Sequence, residues 1–300
     1  MPESPRDIRR RIGSTKNIAQ ITRAFQQLAT ARLRRAQSRA SESRPYADSI
    51  REVLAGLAGA GGSDVTHPLL EQREVRAVGI IEVTPDRGLV GGLIANVNRA
   101  VSRFVVEQAH PVRGYALGRR GRDFLRRSGV ELAGEEINLG DYPELERVLG
   151  IARLVIDEYT NGTVDQVQLA YTRFISTVRQ ESAIIQLIPV QPDQGGGEQE
   201  GGEQEDGEGE GAAAHIQYEY EPDPAAVLNS LLPRYIETQI YRAVLESKAS
   251  EQAARLVAMR NATDNANELV GDLTLSLNKA RQASITTEIA EISAAAEALR

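Results

Sequence analysis

The chain has 300 residues, a formal charge of −7, 41% hydrophobic residues, 4% aromatic residues, and neither cysteine nor tryptophan. That leaves enough apolar material for a core, while the scarcity of aromatics suits long helices better than one large globule. The lack of cysteine excludes disulfides, thiolate metal sites and cysteine catalysis, and no run approaches the ~18 apolar residues of a membrane-spanning helix.

The net charge hides a strong segregation. Residues 1–44 hold eleven Lys/Arg against Glu3, Asp7 and Glu42, whereas residues 194–211 hold seven acids and no base. The basic start has no apolar core behind it, which predicts a mature cytoplasmic start instead of a signal peptide.

A helix is predicted from Pro5, with Ser4 as N-cap. Ile18, Ile21, Phe25 and Leu28 step by three, four and three, with Ile8 and Ile12 one face back. This narrow stripe reads as the seam of a coiled-coil strand. Pro45 is expected to kink the helix or end its first segment, with helix resuming over Tyr46–Leu57 until Gly59-Ala-Gly-Gly breaks it. Residues 1–58 are thus a first, helical segment.

From Val75 the pattern changes. Val75–Val83, Pro111–Leu117, Val130–Ile137, Asp165–Thr172 and Glu181–Pro189 read as strands. Leu93 to Glu107, Arg119–Ser128 and Glu144–Thr160 read as helices. Strands alternating with helices predict a small α/β domain over 74–192, with a partly parallel sheet. Residues 193–213 are nearly all Gly, Glu and Gln, and are expected to form a disordered acidic loop.

Residues 214–300 form the last segment, with Pro222 and Pro224 at the start of a helix that runs to the end. Leu256, Met259, Thr263, Ala266, Val270, Leu273, Leu277 and Ala280 alternate by three and four, and Ile285, Ile289, Ile292, Ala296 and Leu299 continue in kind. At about 1.5 Å per residue, ~70 helical residues span on the order of 100 Å. Such a rod needs a partner helix and a sleeve of other chains.

Catalytic patterns are sparse. Asp86-Arg-Gly-Leu-Val-Gly-Gly92 sits between a strand and a helix, where phosphate-binding loops occur, but lacks both GxGxxG and GK[ST] spacing. A tight turn is the better reading. His67, His110 and His215 have no second ligand at metal spacing. The basic first helix is compatible with nucleic acid or an anionic membrane, though its bases encircle the helix and only Phe25 interleaves with them. A coiled-coil scaffold carrying a nucleotide-binding α/β domain remains an alternative.

Several long runs carry a family resemblance. Ala249-Ser-Glu-Gln-Ala-Ala-Arg255, Ala258-Met-Arg-Asn-Ala-Thr-Asp-Asn-Ala266 and Asn278-Lys-Ala-Arg-Gln-Ala-Ser-Ile-Thr-Thr-Glu-Ile289 resemble the C-terminal signature of the gamma subunits of bacterial F-type ATP synthases. Ile21-Thr-Arg-Ala-Phe-Gln-Gln-Leu-Ala-Thr-Ala-Arg-Leu-Arg-Arg-Ala-Gln37 is similar to their N-terminal helix. Asp86–Gly92 is similar to their Asp-Arg-Gly-Leu-Cys-Gly-Gly turn, with Val90 in place of Cys. Phe25 and Gln27 stand where the family usually has Met. The missing cysteine pair argues against the redox-switched chloroplast form.

The resemblance implies a fold and a role. The fold is α/β, a long antiparallel two-helix coiled coil from the N- and C-termini with a Rossmann-like α/β foot domain inserted between them. The role is the central-stalk rotor of a proton-translocating ATP synthase, with no catalytic residue, cofactor or metal of its own. Partners would be the alpha and beta subunits, the epsilon subunit and the membrane c-ring, with no nucleic acid and no direct membrane insertion. The location would be the cytoplasmic side of the cell membrane, peripherally. Arg23, Phe25, Arg281, Gln282, Thr286 and Glu288 would meet the catalytic subunits. Tyr218, Tyr220 and Glu221 would meet the membrane ring.

Overall fold

A computed structural model describes residues 4–60, 67–191 and 223–298. The described chain packs as two compact units. One comprises residues 4–32, 89–91 and 252–298, and the other residues 33–88 and 92–251. The long helices α1 (Pro5–Ala60) and α5 (Pro224–Ala298) contribute to both.

The start of α1 follows from its first residues. Ser4 Oγ accepts the Asp7 backbone N–H at 3.2 Å, capping one orphan donor of the first turn, and donates to Asp7 Oδ2 at 2.8 Å. Of the two outcomes expected at Pro45, a kink or an end, the end does not occur: α1 is continuous through it. The ring removes one N–H and crowds the preceding turn, a penalty of about 3 kcal/mol. Downstream, Ala47, Ile50 and Leu54 are buried, and Ile50 and Leu54 belong to the sheet core. Their burial offsets that penalty at roughly 1.5–3 kcal/mol per large side chain.

The larger unit is built on a five-stranded sheet in the order β3-β2-β1-β4-β5. Its strands are β1 (Val78–Val83), β2 (Val112–Leu117), β3 (Glu131–Glu136), β4 (Gln166–Phe174) and β5 (Gln180–Ile188). The first four run parallel and β5 pairs antiparallel to β4. Short βαβ connections impose the parallel order, and the tight β4–β5 hairpin imposes the antiparallel edge. The remaining helices are α2 (Leu93–Glu107), α3 (Arg119–Arg127) and α4 (Glu146–Thr160).

Period-two alternation sends each strand's residues to two cores. On one face, Ile80 of β1 packs with Val97 and Val101 of α2 and Leu125 of α3. On the other, Ile81 and Val83 pack with Val148 and Val155 of α4, with Ile50 and Leu54 of α1, and with Leu232, Ile236 and Ile240 of α5. The inner ends of both long helices are therefore part of this core.

The smaller unit is a helical pair. Ile8, Thr15, Ala19, Thr22 and Ala29 are buried on α1, with Ile12 and Gln26 half-buried between them. Met259, Thr263, Ala266 and Leu273 are buried on α5, with Leu256, Val270, Leu277 and Ala280 half-buried. Thr22 Oγ1 and Thr263 Oγ1 lie 2.7 Å apart at the centre. Ala280 lies 17 residues after Thr263, Pro5 lies 17 residues before Thr22, and beyond Ala280 every described side chain of α5 is exposed. Only an antiparallel pairing ends the burial of α5 where α1 begins.

Candidate functional site

The outward faces of the helical pair are the first candidate. The sequence expectation put the seam of α1 at Ile18, Ile21, Phe25 and Leu28. Instead these four side chains are 40–55% exposed, and the seam is the small, weakly polar row around Thr22. The reason is steric and electrostatic. Alanine and threonine let two helix backbones approach closely, and the two hydroxyls are satisfied together: one donates to the other at 2.7 Å, and the second donates to its own helix, to Ile18 or Ala19 (carbonyls 3.1 Å from Thr22 Oγ1) or to Met259 (carbonyl 2.9 Å from Thr263 Oγ1). The signal was present: Ile8, Ile12, Thr15, Ala19, Thr22, Gln26 and Ala29 alternate by four and three, and match the small residues read correctly on α5. Hydrophobicity alone points to the wrong stripe.

Arg23 is exposed beside this outward stripe, and Arg281, Gln282, Thr286 and Glu288 are exposed on the part of α5 beyond Ala280. Ile285, Ile289 and Ile292 are exposed there too, at 45–70%. The polar side chains are held mainly by their own helix. Thr286 Oγ1 donates to the Gln282 carbonyl at 2.9 Å and Ser284 Oγ donates to Glu288 Oε1 at 3.1 Å. The pair thus presents large apolar side chains outward on both helices, at a density that a solvated coiled coil does not need. Tyr218, Tyr220 and Glu221, the acidic segment 193–213 and His215 lie outside the described residues.

The turn Asp86–Gly92 is the second candidate, and its acidic side chain has a structural role. The Asp86 carboxylate accepts backbone N–H groups from Arg119 at 3.0 Å, Asn138 at 2.9 Å and Leu139 at 3.1 Å. Thr84 Oγ1 accepts the Gly121 N–H at 2.6 Å. These bonds tie the loop after β1 to the first turn of α3, while α2, the helix that the turn itself precedes, starts at Gly92 without a side-chain cap. Among the described residues no group of three His, Asp or Glu side chains could hold a metal ion. His67 caps the 3-10 turn Pro68–Leu70, its Nδ1 accepting the Leu69 N–H at 3.1 Å, and burial lowers its pKa. His110 is exposed.

One titratable group is unusual. Glu82 of β1 is fully buried, and burial raises its carboxyl pKa to about 8. With its amide nitrogen turned inward, Asn98 donates to Glu82 Oε1 at 3.1 Å and to the Ile94 carbonyl at 3.0 Å. Among the described residues no cation partners the carboxyl, so it is a neutral acid in the core at pH 7.

The run Glu246–Glu251 is a structural site whose role sequence reasoning missed. Glu246 Oε1 accepts the Phe174 N–H at 2.9 Å, Ser247 Oγ accepts the Thr172 N–H at 3.2 Å, and Ser250 Oγ donates to the Thr172 carbonyl at 3.2 Å. Lys248 and Glu251 form a buried pair at 3.1 Å. These side chains dock α5 on the open edge groups at the end of β4. A run polar but for Ala249, set between the apolar Ala243-Val-Leu245 and Ala253-Ala254, was the available cue.

Comparison with known proteins agrees with this arrangement. The family described as ATP synthase matches residues 4–299. A relative named ATP synthase gamma chain from Chloroflexus aurantiacus (strain ATCC 29366 / DSM 635 / J-10-fl) is 50% identical over 305 residues, covering all of this chain and 99% of its own. Another of that name from Dehalococcoides mccartyi (strain CBDB1) is 48% identical over 295 residues, 98% of each chain. In fold, the chain is similar to one in the Euglena gracilis mitochondrial ATP synthase OSCP/F1/c-ring structure in rotational state 3, with a TM-score of 0.66 at 21% identity, covering 98% of this chain and 94% of that one.

Proposed function

The chain belongs to the gamma-chain family of ATP synthases, and from that premise we propose that it is the central-stalk rotor, coupling rotation of an ion-driven membrane ring to conformational change in the catalytic subunits. In this reading the helical pair sits inside a ring of alternating alpha and beta subunits. It is asymmetric, so it presents a different face to each catalytic site and makes their nucleotide affinities unequal. Turning it exchanges those affinities, which is coupling between distant sites through a rigid element.

The observation that carries the reading is the outward placement of Ile18, Ile21, Phe25 and Leu28 while small residues hold the seam. Each such side chain gains roughly 1.5–3 kcal/mol on full burial, so the pair is suited to an enclosing partner. Arg23, Phe25, Arg281, Gln282, Thr286 and Glu288 are the proposed contacts to the catalytic subunits. Tyr218, Tyr220 and Glu221 are the proposed contacts to the membrane ring. The proposed division is a helical segment 1–58, a foot domain 74–192, an acidic loop 193–213 and a helical segment 214–300, with an epsilon-type subunit as a further proposed partner. None of the described helices is long and apolar enough to cross a membrane, which supports peripheral attachment through the complex, on the cytoplasmic side. The chain itself contributes no catalytic group in this reading.

Reconstitution tests it. The purified chain alone is expected to show no ATP turnover. Added to alpha and beta subunits it is expected to yield a complex that hydrolyses ATP while a bead fixed to this chain rotates. Robust turnover by the chain alone, or failure to join the alpha–beta ring, would refute the reading.

A further inference from the structure

In the larger unit, α2 and α3 lie side by side on one face of the sheet, where Val97 and Val101 of α2 and Leu125 of α3 fill the same core. Together the two helices carry seven arginines against Glu107 and Asp123. Three of the seven have partners on the β3 side of α3. Arg122 holds Asp123 at 2.7 Å, Arg122 and Arg126 both reach Glu135 of β3, and Arg119 donates to Asn138 Oδ1 at 2.8 Å. Arg120 and Arg127 stand on the opposite flank, about 100° or more round the helix, toward α2. A β-carbon on Gly88, in the loop leading to α2, would lie 3.6 Å from Arg120 Nη2. Arg99 and Arg103 stand one turn apart on the exposed side of α2, and Arg99 Nη1 donates to the neutral Asn96 Oδ1 at 3.5 Å. Among the described residues none of Arg99, Arg103, Arg120 and Arg127 makes an ion pair. Asp123 attracts Arg120 and Arg127 at longer range, but Arg122 already holds it.

We propose that the outer face of α2 and α3 is an electrostatic contact surface for an anionic lipid bilayer. Guanidinium groups do not deprotonate, so the repulsion among these four is lowered only by an anion that settles over them. The side chains between them select the kind of anion. Ala95, Asn96 and Ser102 lie outward on α2, whereas Phe104 and Phe124 pack against the core. A stereospecific protein interface needs a well-packed aromatic or aliphatic anchor, and single-stranded nucleic acid needs outward rings on which bases stack. The one large apolar side chain exposed on either helix is Val106, at 81%, which suits shallow contact with a headgroup layer. The choice of a bilayer rests on the peripheral attachment proposed above. Headgroups impose no fixed register, so they attract a foot domain without stopping it from turning. Each arginine near such a surface strengthens attachment about fivefold.

The test is co-sedimentation of the full chain with phosphatidylcholine vesicles, with and without about one-third phosphatidylglycerol, at about 0.1 M salt. Binding to the anionic vesicles alone is expected. Arg99→Gln/Arg103→Gln/Arg120→Gln/Arg127→Gln should weaken it about a hundredfold. The matched variant Arg6→Gln/Arg9→Gln/Lys16→Gln/Arg34→Gln removes four exposed charges of α1 and should weaken it less than about tenfold, because those charges are spread over about 40 Å and do not act together. If the first variant fails to fold by circular dichroism, Arg99→Gln/Arg103→Gln decides, with a loss of about tenfold or more. No preference for anionic vesicles, or equal weakening by the α1 variant, overturns the proposal. Tighter binding to a DNA duplex than to the vesicles, lost in the same α2–α3 variant, overturns it in favour of nucleic acid. None of these outcomes bears on whether the chain joins the alpha–beta ring, so the rotor reading stands or falls separately.

Discussion

At the scale of single residues, Glu82 makes the sharpest demand. In the folded chain its carboxyl keeps its proton to about pH 8, against an ordinary value of 4.5. The unfolded chain releases that proton near the ordinary value. The group's contribution to stability is therefore complete below pH 4.5 and declines as pH rises through the window from 4.5 to about 8. The full loss is on the order of 4 kcal/mol. Glu82→Gln keeps the shape and removes the titration, so it should raise the stability of the larger unit by about 2 kcal/mol or more at pH 7.5 and change it little at pH 4.5. Urea denaturation at both pH values checks this, and an equal effect at both would count against a buried neutral acid. Gly118 makes a steric demand instead. Its φ is +112°, and a β-carbon there would stand 1.9 Å from the Thr84 carbonyl oxygen. Gly118→Ala is expected to destabilise by about 3 kcal/mol or more, because neither backbone can yield without disturbing β1 or α3.

At the scale of elements, the helical pair separates two roles that look alike in a list of hydrophobic residues. Ala19 sits in the seam at 9% exposure, and Ile18 beside it is 51% exposed. Ala19→Leu should overpack the seam and cost about 1–3 kcal/mol. Ile18→Ser with Phe25→Ser should leave thermal unfolding of the free chain within about 0.5 kcal/mol per site, yet weaken assembly with alpha and beta subunits in a pull-down. The reverse pattern would restore Ile18 and Phe25 to the seam. The same elements show what was legible in advance. Short continuous runs such as the Tyr115-Ala-Leu end of β2 and the 15-residue α2 announced themselves, because burial on two faces and on one stripe leave different spacings. The continuity of α1 through Pro45 did not, because it depends on Ile50 and Leu54 reaching a core assembled from distant strands. The docking of Ser247 and Ser250 on Thr172 was equally hidden: a serine in a helix carries no mark of the strand end it will meet.

For the whole molecule, the prediction concerns what passes between chains. Arg281, Gln282, Thr286 and Glu288 are exposed, so replacing all four with alanine should leave the free chain folded. In the assembled complex the same change should slow ATP-driven rotation or lower the ATP yield per ion, measured by bead rotation and by proton-driven synthesis. Ala294 and Ala295 offer a second handle: bulky side chains there should raise friction or impair assembly, and unchanged turnover would weigh against an enclosing sleeve. The outline of the whole was readable because long signature runs such as Asn278–Ile289 persist intact. The convergence of Arg51, Arg173 and Arg242 on one cavity was not, since they are separated by more than a hundred and by sixty-nine residues in sequence and meet only through the fold.

The stretch of α5 beyond Ala280 has a further consequence. Residues 281–298 form five turns of helix whose described side chains, 281–296, are all exposed, held by their own backbone bonds and by local links such as Ser284 to Glu288. Helices of this length are marginal in water even in alanine-rich sequences. In the unassembled chain this end should fray, and its amide protons should exchange with solvent far faster than those around Thr263. Enclosure by other subunits would then have to supply the ordering free energy. Part of the binding energy of the complex is spent on completing a helix, and truncating the last turns should weaken binding by less than the contacts removed would suggest.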